Sequence, residues 1–209
     1  MVSVHNIEII HNSIPMLVKP PDSSDMILNI AFPKRAIVLG RFSSIKDVKC
    51  NDVEIVRRLG GGGTVYLDHN FLVIEYNGRR SLHILNMFLE ATRLLVQNLI
   101  YKRVDITPRF MDFVVDDRKI AGTSIAYMRE KMIIGISVIL RNQGIEEIER
   151  CLKVPEKQPS YRRNRSHRDF LISAEAFENG EYLLTKTDLR KLSDSFLSIF
   201  YSLSRRESQ

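Results

Sequence analysis

The chain has 209 residues, 44% hydrophobic and 27% charged, which is enough material to bury a sizeable core in one globular domain. No run approaches the roughly 18 uninterrupted apolar residues of a membrane helix, and the first residues lack the basic-then-apolar order of a signal peptide, so a soluble cytoplasmic protein is expected. The formal charge of +6 implies an acidic counterpart, and the two cysteines, Cys50 and Cys151, are too few and too widely spaced to indicate a disulfide framework or a zinc site.

Taken in chain order, a strand-like piece around residues 7–10 leads through Lys19-Pro20-Pro21-Asp22 to a helix expected near residues 25–31, with Ser23 or Ser24 as its cap. The run from Ala36 to Phe42 reads as a buried strand. Residues 64–67 and 72–76 read as a strand pair or one bent strand, with a glycine run just before them. From Ser81 to about Ile100 the residues Leu82, Leu85, Leu89, Leu95 and Leu99 recur at helical spacing, which is an amphipathic helix covering a sheet. Residues 113–115, 119–127 and 132–140 read as three successive antiparallel strands, separated by Asp116-Asp117 and by Arg129-Glu130-Lys131. Short and long helices follow at residues 144–152 and 187–203, the second capped by Thr187 and carrying Leu189, Leu192, Phe196, Ile199 and Leu203 on one face. The whole is an α+β fold: a mixed or antiparallel central sheet flanked by helices, in one domain that includes the last helix.

Two segments carry chemistry. Arg57-Arg58-Leu59 precedes Gly60-Gly61-Gly62-Gly63-Thr64-Val65-Tyr66, where successive backbone N–H groups free of side chains can form an anion-binding nest beside two fixed cations. No Lys-Ser or Lys-Thr follows these glycines and they do not open a helix, so neither common nucleotide fingerprint applies; the bland alternative is a glycine turn. The second segment runs from Asp112 through Lys119 to Gly122-Thr123-Ser124. A lysine opening an apolar strand after a tight turn can point its ammonium over the sheet to polarise a carbonyl or phosphoryl oxygen, and Gly122 would let another backbone approach. Alone, a lysine after Asp-Asp-Arg is more often an exposed turn residue. The basic run of residues 161–168 reads as a solvated loop, and an RNA-binding role for it is weak because no aromatic platforms interleave with the arginines.

In this order and spacing, the two segments resemble the signatures of the lipoate-protein ligase and octanoyltransferase family, which shares its fold with biotin protein ligases. Leu39-Gly40-Arg41-Phe42 resembles the strand preceding the glycine run in that family. The resemblance implies that Lys119 is the essential lysine, and that Arg57, Arg58, Gly61, Gly62, Gly63, Thr64, Val65, Tyr66, Asp112 and Gly122 form the site holding the acyl carboxylate and the adenylate phosphate. It further implies ATP with Mg2+, lipoate as substrate, and an acidic lipoyl-carrier domain as acceptor partner, with no metal resident in the protein. A ligase of this kind makes lipoyl-AMP and passes the acyl group to a lysine.

The chain departs from the family pattern at several positions. Met111-Asp112 stands where ligases have Asn-Asp, Ile134-Gly135 where many have His-Gly, and Leu67 where a histidine often follows the glycines. There is no evident room for the small accessory domain of some ligases. An ATP-independent octanoyl or lipoyl transferase, dependence on a separate accessory subunit, and a non-catalytic binding subunit with the same fold therefore stay open. Transferases of the family use a cysteine, but Cys151 lies in an amphipathic helix, where a packing role is the better reading, and Cys50 matches neither known placement. Biotin ligation is disfavoured, since Arg57-Arg58-Leu59-Gly60 replaces Gly-Arg-Gly-Arg. His167 reads as a solvated loop residue or a partner of Asp169, with a catalytic role the lesser option, while the arginines of the run are candidates for meeting the carrier domain or ATP.

Overall fold

Residues 7–21, 26–177 and 189–206 are described in the computed structural model. Strands β1 (Ile7–Ile10), β2 (Met26–Ala31), β6 (Phe71–Arg79), β7 (Asp105–Ile106), β8 (Phe113–Val115), β9 (Arg118–Met128) and β10 (Lys131–Ile139) form one sheet in the order β1-β2-β6-β10-β9-β8-β7. Only the β1–β2 pair in it is parallel. A second sheet joins β3 (Ala36–Leu39), β4 (Ile55–Arg57) and β5 (Val65–Leu67) in the order β4-β3-β5. The expected mixed sheet with flanking helices is therefore present, and a small companion sheet accompanies it.

Period-two alternation decides what each face of the large sheet meets. Leu72, Ile74 and Tyr76 of β6, with Ile134, Ile136 and Val138 of β10, turn to the face covered by helices α1 (Leu82–Ile100) and α4 (Leu189–Arg206). The two helices meet through Phe88 and Phe196, whose ring centroids are 5.5 Å apart. On the opposite face Phe71, Val73 and Ile139 pack with the small sheet and with helix α2 (Asn142–Cys151). Burying each such side chain contributes about 1.5–3 kcal/mol, so the layering follows from the alternation. Helix α1 begins where the Ser81 hydroxyl accepts from the Ile84 N–H and ends at Tyr101 in the left-handed region. Of its expected stripe, Leu85, Leu89 and Leu95 are buried, but Leu82 is 73% exposed. No described helix is long and apolar enough to cross a membrane.

Three expectations are corrected. Residues 26–31 form strand β2 rather than a helix: a six-residue apolar run has no readable period, and here both faces are covered, with Leu28 and Ile30 on one and Ile27 and fully buried Asn29 on the other. The proposed caps Ser23 and Ser24, and Thr187 at the last helix, lie outside the described residues. Strands β5 and β6 are neither a pair nor one bent strand, because the turn Asp68–Asn70 sends them into different sheets; the Asp68 carboxylate there accepts from the Asn70 backbone and side chain. Finally, Cys50 and Cys151 are joined by a disulfide across a sequence separation of 101, with a Cα–Cα distance of 4.7 Å. An isolated bridge between Val48 and Leu152, and the Lys49 N–H to Cys151 carbonyl bond, bring the two segments into register.

A cross-link over so long a loop restricts the unfolded chain strongly. We expect Cys50→Ser to lower the unfolding free energy by about 2–4 kcal/mol in urea titrations without reductant. With reductant present, variant and parent should unfold alike.

Candidate functional site

The site is assembled where the small sheet meets β9, and two arginines at the end of β4 build it. Arg57 donates through Nη1 to the carbonyls of Gly40 (2.8 Å), Arg41 (3.1 Å) and Ser43 (2.9 Å), closing the turn after β3. Arg58 is only 6% exposed; its Nη2 donates to the carbonyls of Gly61 and Gly63 (both 2.8 Å), and its Nε to the Ser124 hydroxyl of β9 (2.9 Å). Ser124 in turn donates to the Gly61 carbonyl (2.9 Å). Burial pulls the Arg58 guanidinium down to about 10, so it remains charged at neutral pH. Arg58 thus frames the glycine run by gathering the carbonyls of Gly61 and Gly63, while Arg57 gathers those of the neighbouring turn at residues 40–43. In a trans peptide each carbonyl opposes the next N–H, so the N–H groups of Gly62 and Thr64 are turned away from Arg58.

None of the Gly61, Gly62 and Gly63 N–H groups finds an acceptor among the described residues, and the buried Thr64 hydroxyl also has no partner. Free donors beside an orphaned hydroxyl are what an anion-binding nest requires. Gly62 holds φ +93, and a Cβ at Gly40 would lie 2.0 Å from the Gly62 carbonyl oxygen, so these two glycines are demanded by the turn itself. Around Gly61 and Gly63 a Cβ would meet nothing within 4 Å. Val65 is half-buried. Tyr66 turns into the core, where its hydroxyl donates to Asp68 and receives the Arg35 Nε–H, and burial pushes it up to about 12.

Lys119 reaches the same region from β9. Asp116 and Asp117, with φ +47 and +63, form the two-residue turn that starts the strand. A register shift between Phe113 and Val114 then pairs Val114 with Lys119 and Phe113 with Ala121. The extra residue places Lys119 and Gly122 on one side of the strand, as a bulge does. A Cβ at Gly122 would meet the Lys119 Nζ at 2.7 Å, so this glycine makes room for the lysine chain rather than for another backbone. From there to the glycine-run anchor at Ser124 is two residues, about 7 Å of strand. The ammonium pairs with Asp112 Oδ1 at 2.7 Å, and Asp112 Oδ2 accepts from the Tyr161 hydroxyl at 2.7 Å.

The basic run is not a solvated loop throughout. Arg162 is buried over the Phe170 ring (4.6 Å), and Arg165 donates to the carbonyls of Asp117 (2.9 Å) and Tyr161 (2.8 Å); Arg163 and Arg168 face outward. His167, in helix α3 (His167–Phe170), is also buried: Nδ1 faces the Arg162 guanidinium at 3.2 Å and Nε2 the Lys153 carbonyl at 3.1 Å, while Asp169 bonds Ser166 instead. Burial first, then the Arg162 charge, holds His167 below its ordinary pKa. Behind the glycines, the buried Glu75 carboxylate accepts from the Met16 and Leu17 N–H groups and from Asn29, setting Leu17 over Gly60 and Gly135; burial pushes its pKa up.

Sequence reasoning missed Tyr161 and Ser124 as members of this cluster. Ser124 sits in the quoted strand motif, but a partner for Tyr161 some fifty residues away leaves no local signal. Each Asp112 carboxylate oxygen has one partner, Lys119 for Oδ1 and Tyr161 for Oδ2. Among the described residues, the grouping with ligand spacing is Cys50, Asp52 and Cys151, whose sulfurs are bonded to each other.

The fold thus sets a glycine run with unpartnered backbone donors close to a strand lysine, between a seven-stranded and a three-stranded sheet. Residues 18–196 match the family model for the lipoyl protein ligase A/B catalytic domain, and the chain belongs to that family. It is 28% identical over 110 residues to lipoate–protein ligase 1 of Staphylococcus aureus, covering 51% of this chain and 33% of that protein. It is 23% identical over 183 residues to inactive lipoate–protein ligase 2 of Plasmodium falciparum, covering 67% and 47%. The chain thus spans less than half the length of these two relatives. Among solved structures, lipoate-protein ligase A bound with ATP aligns with a TM-score of 0.68 at 13% identity, covering 94% of this chain and 83% of that one. A bi-partite lipoate protein ligase with its E2 lipoyl domain, from Thermoplasma acidophilum, aligns at 0.63 and 18%, covering 85% and 70%. These likenesses establish the shared fold.

Two outcomes follow. Gly40→Ala should cost about 1–3 kcal/mol in urea unfolding because its methyl collides with backbone, whereas Gly61→Ala, in open space, should stay within about 0.5 kcal/mol of the parent. His167 is neutral in the folded protein, so its contribution to stability is complete above the ordinary value of 6.5 and is lost as pH falls below it. Melting between pH 7 and 5 should therefore fall more steeply for the parent than for His167→Gln.

Proposed function

We propose that this chain activates lipoate or octanoate with ATP to the acyl-adenylate and transfers the acyl group to a lysine of an acceptor lipoyl domain. The observation that carries this reading is the set of unpartnered donors at Gly61, Gly62, Gly63 and Thr64, two residues along β9 from the glycine that accommodates Lys119. The nest supplies N–H groups for the phosphate and carboxylate oxygens. Lys119 supplies a positive charge where negative charge develops, first as the carboxylate attacks the α-phosphate and pyrophosphate leaves, and then as the acceptor amine attacks the acyl carbon, AMP leaves and the amine's proton passes to solvent. Asp112 holds the ammonium ready without desolvating it fully. The role of the arginines is indirect in this reading: Arg58 shapes the nest by consuming the carbonyls of Gly61 and Gly63, and Arg57 fixes the adjoining turn at residues 40–43.

A transferase that works through a cysteine thioester is disfavoured, because both cysteines are in a disulfide and Cys151 is fully buried. Outward-facing Arg163 and Arg168 suit an acidic carrier surface. The bi-partite architecture named for the archaeal neighbour makes a separate accessory subunit part of the reading, and the Plasmodium relative named inactive gives weight to a non-catalytic alternative.

Incubation of purified protein with ATP and lipoate, followed by assay of pyrophosphate release and bound lipoyl-AMP, tests the reading directly. Lys119→Ala should lower kcat by on the order of 10²–10³-fold while the thermal melt stays close to the parent's. Turnover within a few-fold of the parent would remove Lys119 from the reaction, and absence of pyrophosphate release from the parent would favour the non-catalytic alternative.

A further inference from the structure

We infer that Tyr161 is a positioning residue that fixes the Lys119 ammonium through the carboxylate of Asp112; for its catalytic meaning this rests on the reading of Lys119 given above. The backbone of Asp112 is already held, since its N–H donates to the Thr107 hydroxyl (3.0 Å) and its carbonyl accepts from the Thr107 N–H (2.9 Å). The preceding carbonyl, that of Met111, accepts from the Thr123 hydroxyl at 2.6 Å. What these bonds leave free is rotation of the Asp112 side chain. With Lys119 as sole partner, the carboxylate and the flexible lysine would swing together, because neither end of the pair is anchored. The Tyr161 hydroxyl takes the second oxygen at 2.7 Å and so fixes the plane from which Oδ1 faces Nζ.

Tyr161 can serve as an anchor because its own position is determined from several sides. Its ring lies 5.2 Å from that of Phe170, and its carbonyl accepts from Arg165, which also donates to the Asp117 carbonyl in the β8–β9 turn and lies 3.3 Å from the Asp117 carboxylate. Residues 161–170 therefore grip the lysine hairpin at two points, its turn and its Asp112 end. Burial and the neighbouring Asp112 charge push the phenol pKa well above its usual value, which keeps it a donor.

The test is a four-protein cycle on the full-length chain: parent, Tyr161→Phe, Asp112→Ala and the double variant. Competitive reductive methylation, read by mass spectrometry, measures the labelling rate of Lys119 against that of the exposed Lys102. Tyr161→Phe keeps the ring and its Phe170 contact, yet should raise Lys119 labelling by about two- to tenfold, the range spanned by one net hydrogen bond. Asp112→Ala should raise it at least as much, and adding Tyr161→Phe to Asp112→Ala should change nothing further. Labelling in Tyr161→Phe equal to the parent's, or an equal further increase in the Asp112→Ala background, overturns the assignment. In steady-state kinetics the same Tyr161→Phe variant should lose about two- to tenfold in kcat with KM for lipoate unchanged; a change confined to KM overturns it as well. If the labelling cycle comes out as expected while the parent makes no acyl-adenylate, the positioning assignment stands and the ligase reading falls.

Discussion

The buried guanidinium of Arg58 is the interaction on which the rest of the site depends. Its donors reach the carbonyls of Gly61, Gly63 and Val38 and the hydroxyl of Ser124, so one side chain ties the glycine run, the central strand of the small sheet and the large sheet together. A charge this deeply buried is tolerated only when its donors are satisfied, and carbonyl oxygens satisfy them without a counter-carboxylate. The outcome is a loop whose acceptors point inward and whose donors are left for something else. In the proposed function the glycine run would therefore owe its affinity for an anion to a cation that need not touch that anion.

A similar division of labour runs through the lysine hairpin. Most of the charged groups around it are spent on holding one another in place. Arg165 and Asp117 clamp the turn, Asp112 holds Lys119, and Arg162 and His167 stabilise one another's surroundings beneath Phe170. The geometry separates the residues that face the glycine run and Lys119 from those that hold them from behind.

Long periodic elements were legible in the sequence. Helices α1 and α4 could be read from spacing alone, because burial on one face imposes a repeat that survives without any partner being known, and strands β8 to β10 could be read as apolar runs set apart by the polar turns at Asp116-Asp117 and Arg129-Glu130. Strand β2 could not, since coverage on both faces erases the repeat and leaves only a short apolar run. The separation of β5 from β6 into two sheets depends on how Asp68 bonds Asn70, a three-residue detail with no counterpart in hydropathy. In the site, Lys119 and the glycines were legible because they form contiguous motifs with an unusual chemistry. Tyr161 was not, because its significance is a single bond to Asp112 across the fold. The arginines misled for a related reason: charge in a sequence does not reveal whether carbonyl oxygens wait for it inside, as they do for Arg58, Arg162 and Arg165. Nor does a pair of distant cysteines announce that two backbone segments will bring them together.

That disulfide divides the chain topologically. Residues 50 to 151 form a closed covalent ring containing the glycine run, Asp112 and Lys119, whereas Tyr161 and the arginines that brace it belong to the tail leaving that ring. A backbone break anywhere inside the ring leaves one connected molecule with both signature motifs still attached. A break just beyond Cys151 instead severs the brace from what it braces, making the short connection between α2 and Tyr161 the most consequential stretch of backbone outside the ring.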